Sequence, residues 1–200
     1  MMPKRLVLAS SSPRRRQLLS EAGFAFEVAV SGAEETPPDA LAGEEAAVEI
    51  ARRKAAAVAK GLSGAVVLAA DTIVIAPGSR ILGKPADRAD ARRMLRELSG
   101  STHVVITGVA IIDCDTGRER SEAVATEVVF GEMTDSEINA YVDSGEALGK
   151  AGAYAIQETG DRFVRRVNGS LTNVVGLPME AVTRMLEDFG ITAHHGGGRT

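Results

Sequence analysis

Apolar residues come in two rhythms along this chain. "RLVLAS" reads as a short buried strand, and the apolar positions then move to helical spacing at Leu18, Leu19 and Ala22. Ser12 and Pro13 supply an N-cap and a first helical residue, and Gly23 closes the helix. "FAFEVAV" alternates and predicts a second strand. The stretch "SGAEETPPDALAG" breaks both rhythms and reads as a loop. Residues 44–60 predict a long alanine-rich helix. "GAVVLAADTIVIA" is two apolar runs joined at Asp71. A strand, a Gly-Lys-Pro turn and a helix over 87–98 follow. Residues 101–130 predict a long hairpin with "DCDTG" at its tip. Thr134 and Glu137 open a further helix with capping-box spacing. A glycine-rich segment then holds a short strand near 163–167, and "LPMEAVTRMLEDFG" closes as an amphipathic helix. The tail "ITAHHGGGRT" carries no core signal and is expected to be mobile. Strands alternating with helices, then a hairpin, predict an α/β fold with a mixed sheet.

Composition narrows the classes. The chain has 200 residues, 44% hydrophobic and 25% charged, which is ordinary for a globular domain. Its single cysteine, Cys114, cannot form an internal disulfide, so a reducing compartment fits. Arginines follow the first apolar run at once, so no secretory leader is expected, and no apolar stretch is long enough to span a bilayer. These features predict a cytoplasmic protein. A net charge of −4 disfavours broad nucleic-acid binding, and the absence of tryptophan makes stacking along a strand poor. Screening acts over about 8 Å at physiological salt, so a local cationic cluster can still attract an anion.

Such a cluster exists. "SSSPRRRQLL" puts Arg14, Arg15 and Arg16 at a helix start, where the dipole disfavours cations by a few tenths of a kcal/mol each. A bound polyphosphate reverses that cost, and the free N–H groups of a helix start suit phosphate oxygens. Arginines splayed into water are the alternative. Asp71 is a lone carboxylate among apolar residues, so it needs a partner, a place at a strand end, or both. A carboxylate there suits Mg²⁺ binding or water activation. Lys84 sits between Gly83 and Pro85 in a stiffened turn. Taken alone, Glu34, Glu35 and Lys54 read as solvated surface residues. Gln157 and "NGSLTNVVGLP" are polar islands that bond either a ligand or the loop backbone. His103 reads as structural, and the paired histidines of the tail as inert. The motifs of zinc hydrolysis, ATP-driven work and acyl transfer do not occur.

Together, "LASSSPRRRQLL", "GAEE", "ARRKA", "AADTIV", "LGKPAD", "LSGSTHVVITGVAI", "YVDSGEALGKAGAYAIQETG" and "NVVGLP" resemble, in that order, the Maf-family nucleoside triphosphate pyrophosphatases. The match covers nearly the whole chain, from Arg5 to Phe189. The resemblance implies an elongated mixed sheet with flanking helices and two lobes around a central cleft, akin to the inosine triphosphate pyrophosphatase fold. It implies one catalytic domain over 1–190, with 191–200 as a tail. The implied reaction is hydrolysis of a nucleoside triphosphate to the monophosphate and pyrophosphate with Mg²⁺ or Mn²⁺. By resemblance, Asp71 is the catalytic base, and with Glu35 it holds the metal. Ser10, Arg14, Arg15, Lys54 and Lys84 bind phosphates. Members acting on dTTP and UTP carry the residues found here as Arg14, Thr72 and Gln157. The 7-methyl-GTP members have Trp, Gln and Glu at those places. The expected partner is a nucleotide, with neither nucleic acid nor membrane, and a homodimer is compatible with the family.

Two other readings stand beside this one. A nucleotidyltransferase also starts with a strand, a polar loop and a cation over phosphates, although its first loop usually carries more glycine. A nucleotide-binding regulator of septum formation, linked to arrest of cell division, is the non-enzymatic alternative.

Overall fold

The structure is a computed structural model and describes residues 4–36, 41, 43–157 and 159–194. Its strands are β1 (Arg5–Leu8), β2 (Phe26–Val28), β3 (Ala65–Ala76), β4 (Arg80–Leu82), β5 (Thr102–Asp113), β6 (Glu119–Phe130) and β7 (Val164–Asn168). Its α-helices are α1 (Pro13–Glu21), α2 (Glu44–Ala59), α3 (Arg88–Leu98), α4 (Asp135–Asp143), α5 (Leu171–Val175) and α6 (Met179–Glu187). The seven strands form one sheet in the order β2-β1-β3-β5-β6-β7, with β4 paired to β3. β1 runs parallel to β2 and β3, whereas β3/β4 and β6/β7 are antiparallel. This is the expected mixed α/β class. No helix among the described residues is long and apolar enough to cross a membrane.

The chain divides into two compact units. The first comprises Met1–Asp71, Thr107–Val124 and Gly176–Thr200. Its centre is β1 against β3, in register from Arg5 opposite Ala65 to Leu8 opposite Leu68. Alanines dominate the layer beside it: Ala51 and Ala55 of α2 meet Val7, Ala9, Ala65, Val67, Ala69 and Ala110. Small side chains let the helix axis come close to the sheet. Gly108 of β5 is the tightest point, since a Cβ there would overlap the Ala47 carbonyl and the Val48 nitrogen. α1 starts as expected, with Ser12 Oγ accepting from the Arg15 backbone N–H at 3.4 Å and Pro13 as the first helical residue.

Three local readings need correction. The alternating "FAFEVAV" is a strand only over Phe26–Val28, an edge strand paired on one side, and Phe24 turns into the core. Edge strands are commonly kept short, which limits templated pairing with other chains. Asp71 does not sit at a strand end or a junction, because β3 runs unbroken from Ala65 to Ala76. The tail is not without core contacts: Ile191 is buried, and the His194 N–H donates to the Gly23 carbonyl at 2.8 Å. Residues 195–200 lie outside the described residues.

The second unit comprises Thr72–Ile106 and Ala125–Val175. α3 begins at Asp87, whose side chain accepts from the Asp90 N–H, and α4 begins with the Thr134–Glu137 capping box. Arg92 ties the two helices by bonding Asn139 at 2.7 Å and Asp143 at 2.6 Å. The core gathers Met94, Leu95, Leu98, Ile138, Tyr141 and Val142 around an aromatic group. In that group, His103 stands edge-on to Phe130 and Tyr154, at ring separations of 4.8 and 5.4 Å. The short strand falls at Val164–Asn168, one residue later than expected. α5 has only five residues, too few to show a helical period in the sequence. Asn173, in the polar island noted above, is fully buried and donates to the Val105 carbonyl and Thr126 Oγ1, a structural role.

His103 gives this unit an acid-sensitive point. Its Nε2 meets the Tyr154 hydroxyl at 2.8 Å, while its buried Nδ1 has no hydrogen-bond partner among the described residues. Burial lowers its pKa from 6.5 to about 4, so the folded chain holds the ring neutral where the unfolded chain protonates it. Stability from this group is therefore complete above pH 6.5 and lost as the pH falls toward 4. Between pH 7.5 and pH 5 the loss is expected to be about 2 kcal/mol. Urea unfolding at the two pH values measures it. His103→Phe should flatten the pH dependence by that amount, and an unchanged slope would exclude His103 as its source.

Candidate active site

β3 outruns its neighbour, and that difference creates the site. The pairing of β1 with β3 ends at Leu8 opposite Leu68, closed by the Ala9 N–H bonding the Leu68 carbonyl at 2.7 Å. Beyond that point β1 gives way to the serine loop and α1, while β3 continues three residues to Asp71. Asp71 therefore lies on β3 just past the carboxyl end of β1, in the kind of place where α/β sheets bind ligands.

Two further elements reach the same spot. Lys54 projects from the third turn of α2 with its side chain 7% exposed, and its ammonium donates to Asp71 Oδ1 at 2.6 Å. The same ammonium lies 2.9 Å from Glu35 Oε1, on the loop between β2 and α2. Asp71 is itself buried. The requirement that a lone carboxylate in an apolar strand must have a partner is thus met by Lys54. The reading of Lys54 and Glu35 as solvated surface residues is overturned for the lysine, which is buried. Glu35 remains half exposed.

The serine loop fixes Arg15. Ser10 Oγ accepts from the Ser12 N–H at 3.2 Å and from Arg15 Nη1 at 3.3 Å. Arg15 Nε donates to the Gly176 carbonyl at 2.8 Å. A half-buried guanidinium is thereby locked in plane. Burial pulls its pKa down, Asp71 and Glu35 oppose that pull, and Arg14 adds to it. Arginine stays cationic at physiological pH regardless. Asp71, Arg14 and Glu35 all act electrostatically on the Arg15 guanidinium. Arg16 points to solvent.

The remaining expected residues belong to the second unit. Thr72 follows Asp71 directly in β3 and is half-buried. Lys84 is exposed in the turn after β4, next to a Gly83 carbonyl that accepts from the Gly152 N–H at 3.1 Å. Gln157 is exposed in the turn before the 3-10 helix Thr159–Phe163. One element of the first unit escaped the sequence reading: the Gly176 carbonyl that anchors Arg15. Only its glycine was visible in "NVVGLP", and its φ of 118° is a conformation that favours glycine.

The donor set admits a divalent cation of the hard class. Asp71 and Glu35 offer carboxylate oxygens, which suit Mg²⁺ or Mn²⁺. Among the described residues no group of three or more histidines, cysteines, aspartates and glutamates converges. Such an ion would therefore take its remaining ligands from water and phosphate oxygens, as Mg²⁺ commonly does. A cavity of about 400 Å³ elsewhere in the first unit is lined by Lys4, Arg5, Phe26, Glu27, Thr192 and His194 among others, and holds none of these residues.

Known proteins resemble this chain over nearly its whole length. The family model described as Maf-like protein matches residues 5–189. A dTTP/UTP pyrophosphatase of Pelotomaculum thermopropionicum is 48% identical over 187 residues, covering 94% of this chain and 97% of that one. Another of the same name from Bdellovibrio bacteriovorus is 47% identical, covering 94% and 100%. Among solved structures, the Staphylococcus aureus Ham1 protein overlaps at 17% identity with a TM-score of 0.46, covering 64% of this chain and 72% of that one. A match of this extent, on a chain that carries the family's motifs in order, places the protein in the Maf-like family.

Proposed function

We propose that this protein hydrolyses nucleoside triphosphates, dTTP and UTP first among them, to the monophosphate and pyrophosphate, within one catalytic domain over 1–190. The observation that carries this reading is the buried Lys54 ammonium held between Asp71 and Glu35, with Ser10 on the serine loop bonded to Arg15 at the start of α1. The names of its curated relatives point to the same chemistry. In this reading a water oxygen bonds to the α-phosphorus, the bridging bond to the β-phosphate breaks, and pyrophosphate leaves with the electron pair. Asp71 orients the water and accepts its proton. Arg14, Arg15, Lys54 and Lys84 hold the phosphates and offset charge as it moves to the leaving oxygens. Ser10 and the Gly176 carbonyl keep Arg15 in plane so that it meets that charge without reorganising. Asp71 and Glu35 would hold a divalent cation, which when bound would supply additional charge neutralisation at the phosphates. Arg14, Thr72 and Gln157 select the base. For Thr72, Lys84 and Gln157 the motifs are the support.

The test is a substrate panel of dTTP, UTP, CTP, GTP and 7-methyl-GTP with Mg²⁺, read by pyrophosphate release and product analysis. dTTP and UTP are expected to turn over fastest. Preference for 7-methyl-GTP would overturn the base assignment. Transfer of the nucleotide to an acceptor would establish the nucleotidyltransferase instead.

A further inference from the structure

The place where two carboxylates could grip a divalent cation already contains a cation. The Lys54 ammonium bonds Asp71 and Glu35 at 2.6 and 2.9 Å, and the side chain is almost wholly buried. An ammonium at hydrogen-bond distance from both acids and a divalent ion coordinated by both would repel each other strongly at such separations. The protein also offers the ion little in exchange, since no third acid, histidine or cysteine joins the pair among the described residues. Lys54 cannot simply leave, because a buried ammonium needs another anion to receive it. In this structure Asp71 and Glu35 fill that role.

We infer that Lys54 is the resident counter-ion of the two carboxylates and bars divalent cations from them until a nucleotide arrives. The inference rests on the proposed function, because the triphosphate is the anion that draws Lys54 away. Phosphate oxygens would receive the ammonium and leave Asp71 and Glu35 to hold the ion. Metal and nucleotide therefore bind together, with Lys54 exchanging carboxylates for phosphate. Nucleotide-free protein keeps its acids neutralised and does not collect metal.

Titration of nucleotide-free protein with Mn²⁺, followed by loss of the free-ion EPR signal, tests this directly. Lys54→Met and Lys54→Gln are expected to bind Mn²⁺ about tenfold or more tightly than wild type. Either variant suffices if the other does not fold, as judged by circular dichroism. A second readout uses wild-type protein. The Lys54 Cε resonance is expected to stay in place with Mg²⁺ alone and to move when the Mg²⁺ complex of α,β-methylene-UTP is added. Equal Mn²⁺ affinity in wild type and variant, or a Cε shift with Mg²⁺ alone as large as that with the nucleotide complex, would overturn the inference. The substrate panel separates this outcome from failure of the function itself. Absence of turnover on every triphosphate removes the proposed activity, whereas turnover with unchanged Mn²⁺ affinity in the variants removes only the Lys54 exchange.

Discussion

Asp71→Asn is expected to lower pyrophosphate release from dTTP or UTP by about a thousandfold or more, chiefly in kcat. In the proposed mechanism the carboxylate has two tasks that an amide cannot perform: it accepts a proton from the attacking water, and it would contribute anionic oxygen to a divalent cation. It also accepts a 2.6 Å bond from the Lys54 ammonium. Asparagine keeps the volume and one acceptor oxygen, so β3 has no reason to move. The stability cost should also be modest. Leaving a buried charge wholly unpaired costs about 3–5 kcal/mol. Here Glu35 still faces the Lys54 ammonium at 2.9 Å, so the loss is expected to stay below about 2 kcal/mol. Steady-state kinetics and thermal melting on the same preparation separate the two effects. A folded variant with kcat within about tenfold of wild type would remove Asp71 from the chemistry.

Local rules carried much of the fold, and they failed where a contact joins distant segments. Ser12, Pro13, Thr134 and Glu137 announced two helix starts, because a cap is a bond between residues three apart. The hairpin over β5 and β6 was legible from its turn residues. Asp71 was legible as an anomaly, since a carboxylate among apolar residues demands an explanation wherever it folds. Its partner was not legible from the residues alone. Lys54 lies on a separate helix, and nothing in "ARRKA" distinguishes a buried lysine from a solvated one. Only the resemblance singled it out. Ile191 was missed for a related reason: one apolar residue in a polar tail shows no period. The Gly176 carbonyl was beyond reach because a backbone acceptor has no residue type.

Gly108→Ala is expected to be the most disruptive substitution of a residue that touches no ligand. Gly108 lies in β5 under the first turn of α2, and the atoms a Cβ would meet are the backbone of Ala47 and Val48. No rotamer change relieves an overlap with backbone. Either the helix lifts from the sheet or the strand bows away from it. Overpacking of this kind costs about 3 kcal/mol. For a chain of this size that corresponds to a melting temperature lower by roughly 6–12 °C. The damage also reaches the chemistry. Lys54 is seven residues along the same helix from Ala47, about two turns, so a helix displaced at its start also displaces the ammonium that is proposed to meet the phosphates. A shift approaching 1 Å is enough to reduce kcat by about tenfold or more. Gly61→Ala is the control, because a Cβ there meets nothing within 4 Å. It should change stability by less than about 0.5 kcal/mol and leave turnover intact. Melting curves and kinetics of the two alanine variants side by side decide the matter. If Gly108→Ala melts within about 2 °C of wild type, α2 does not sit on β5 as closely as the structure has it.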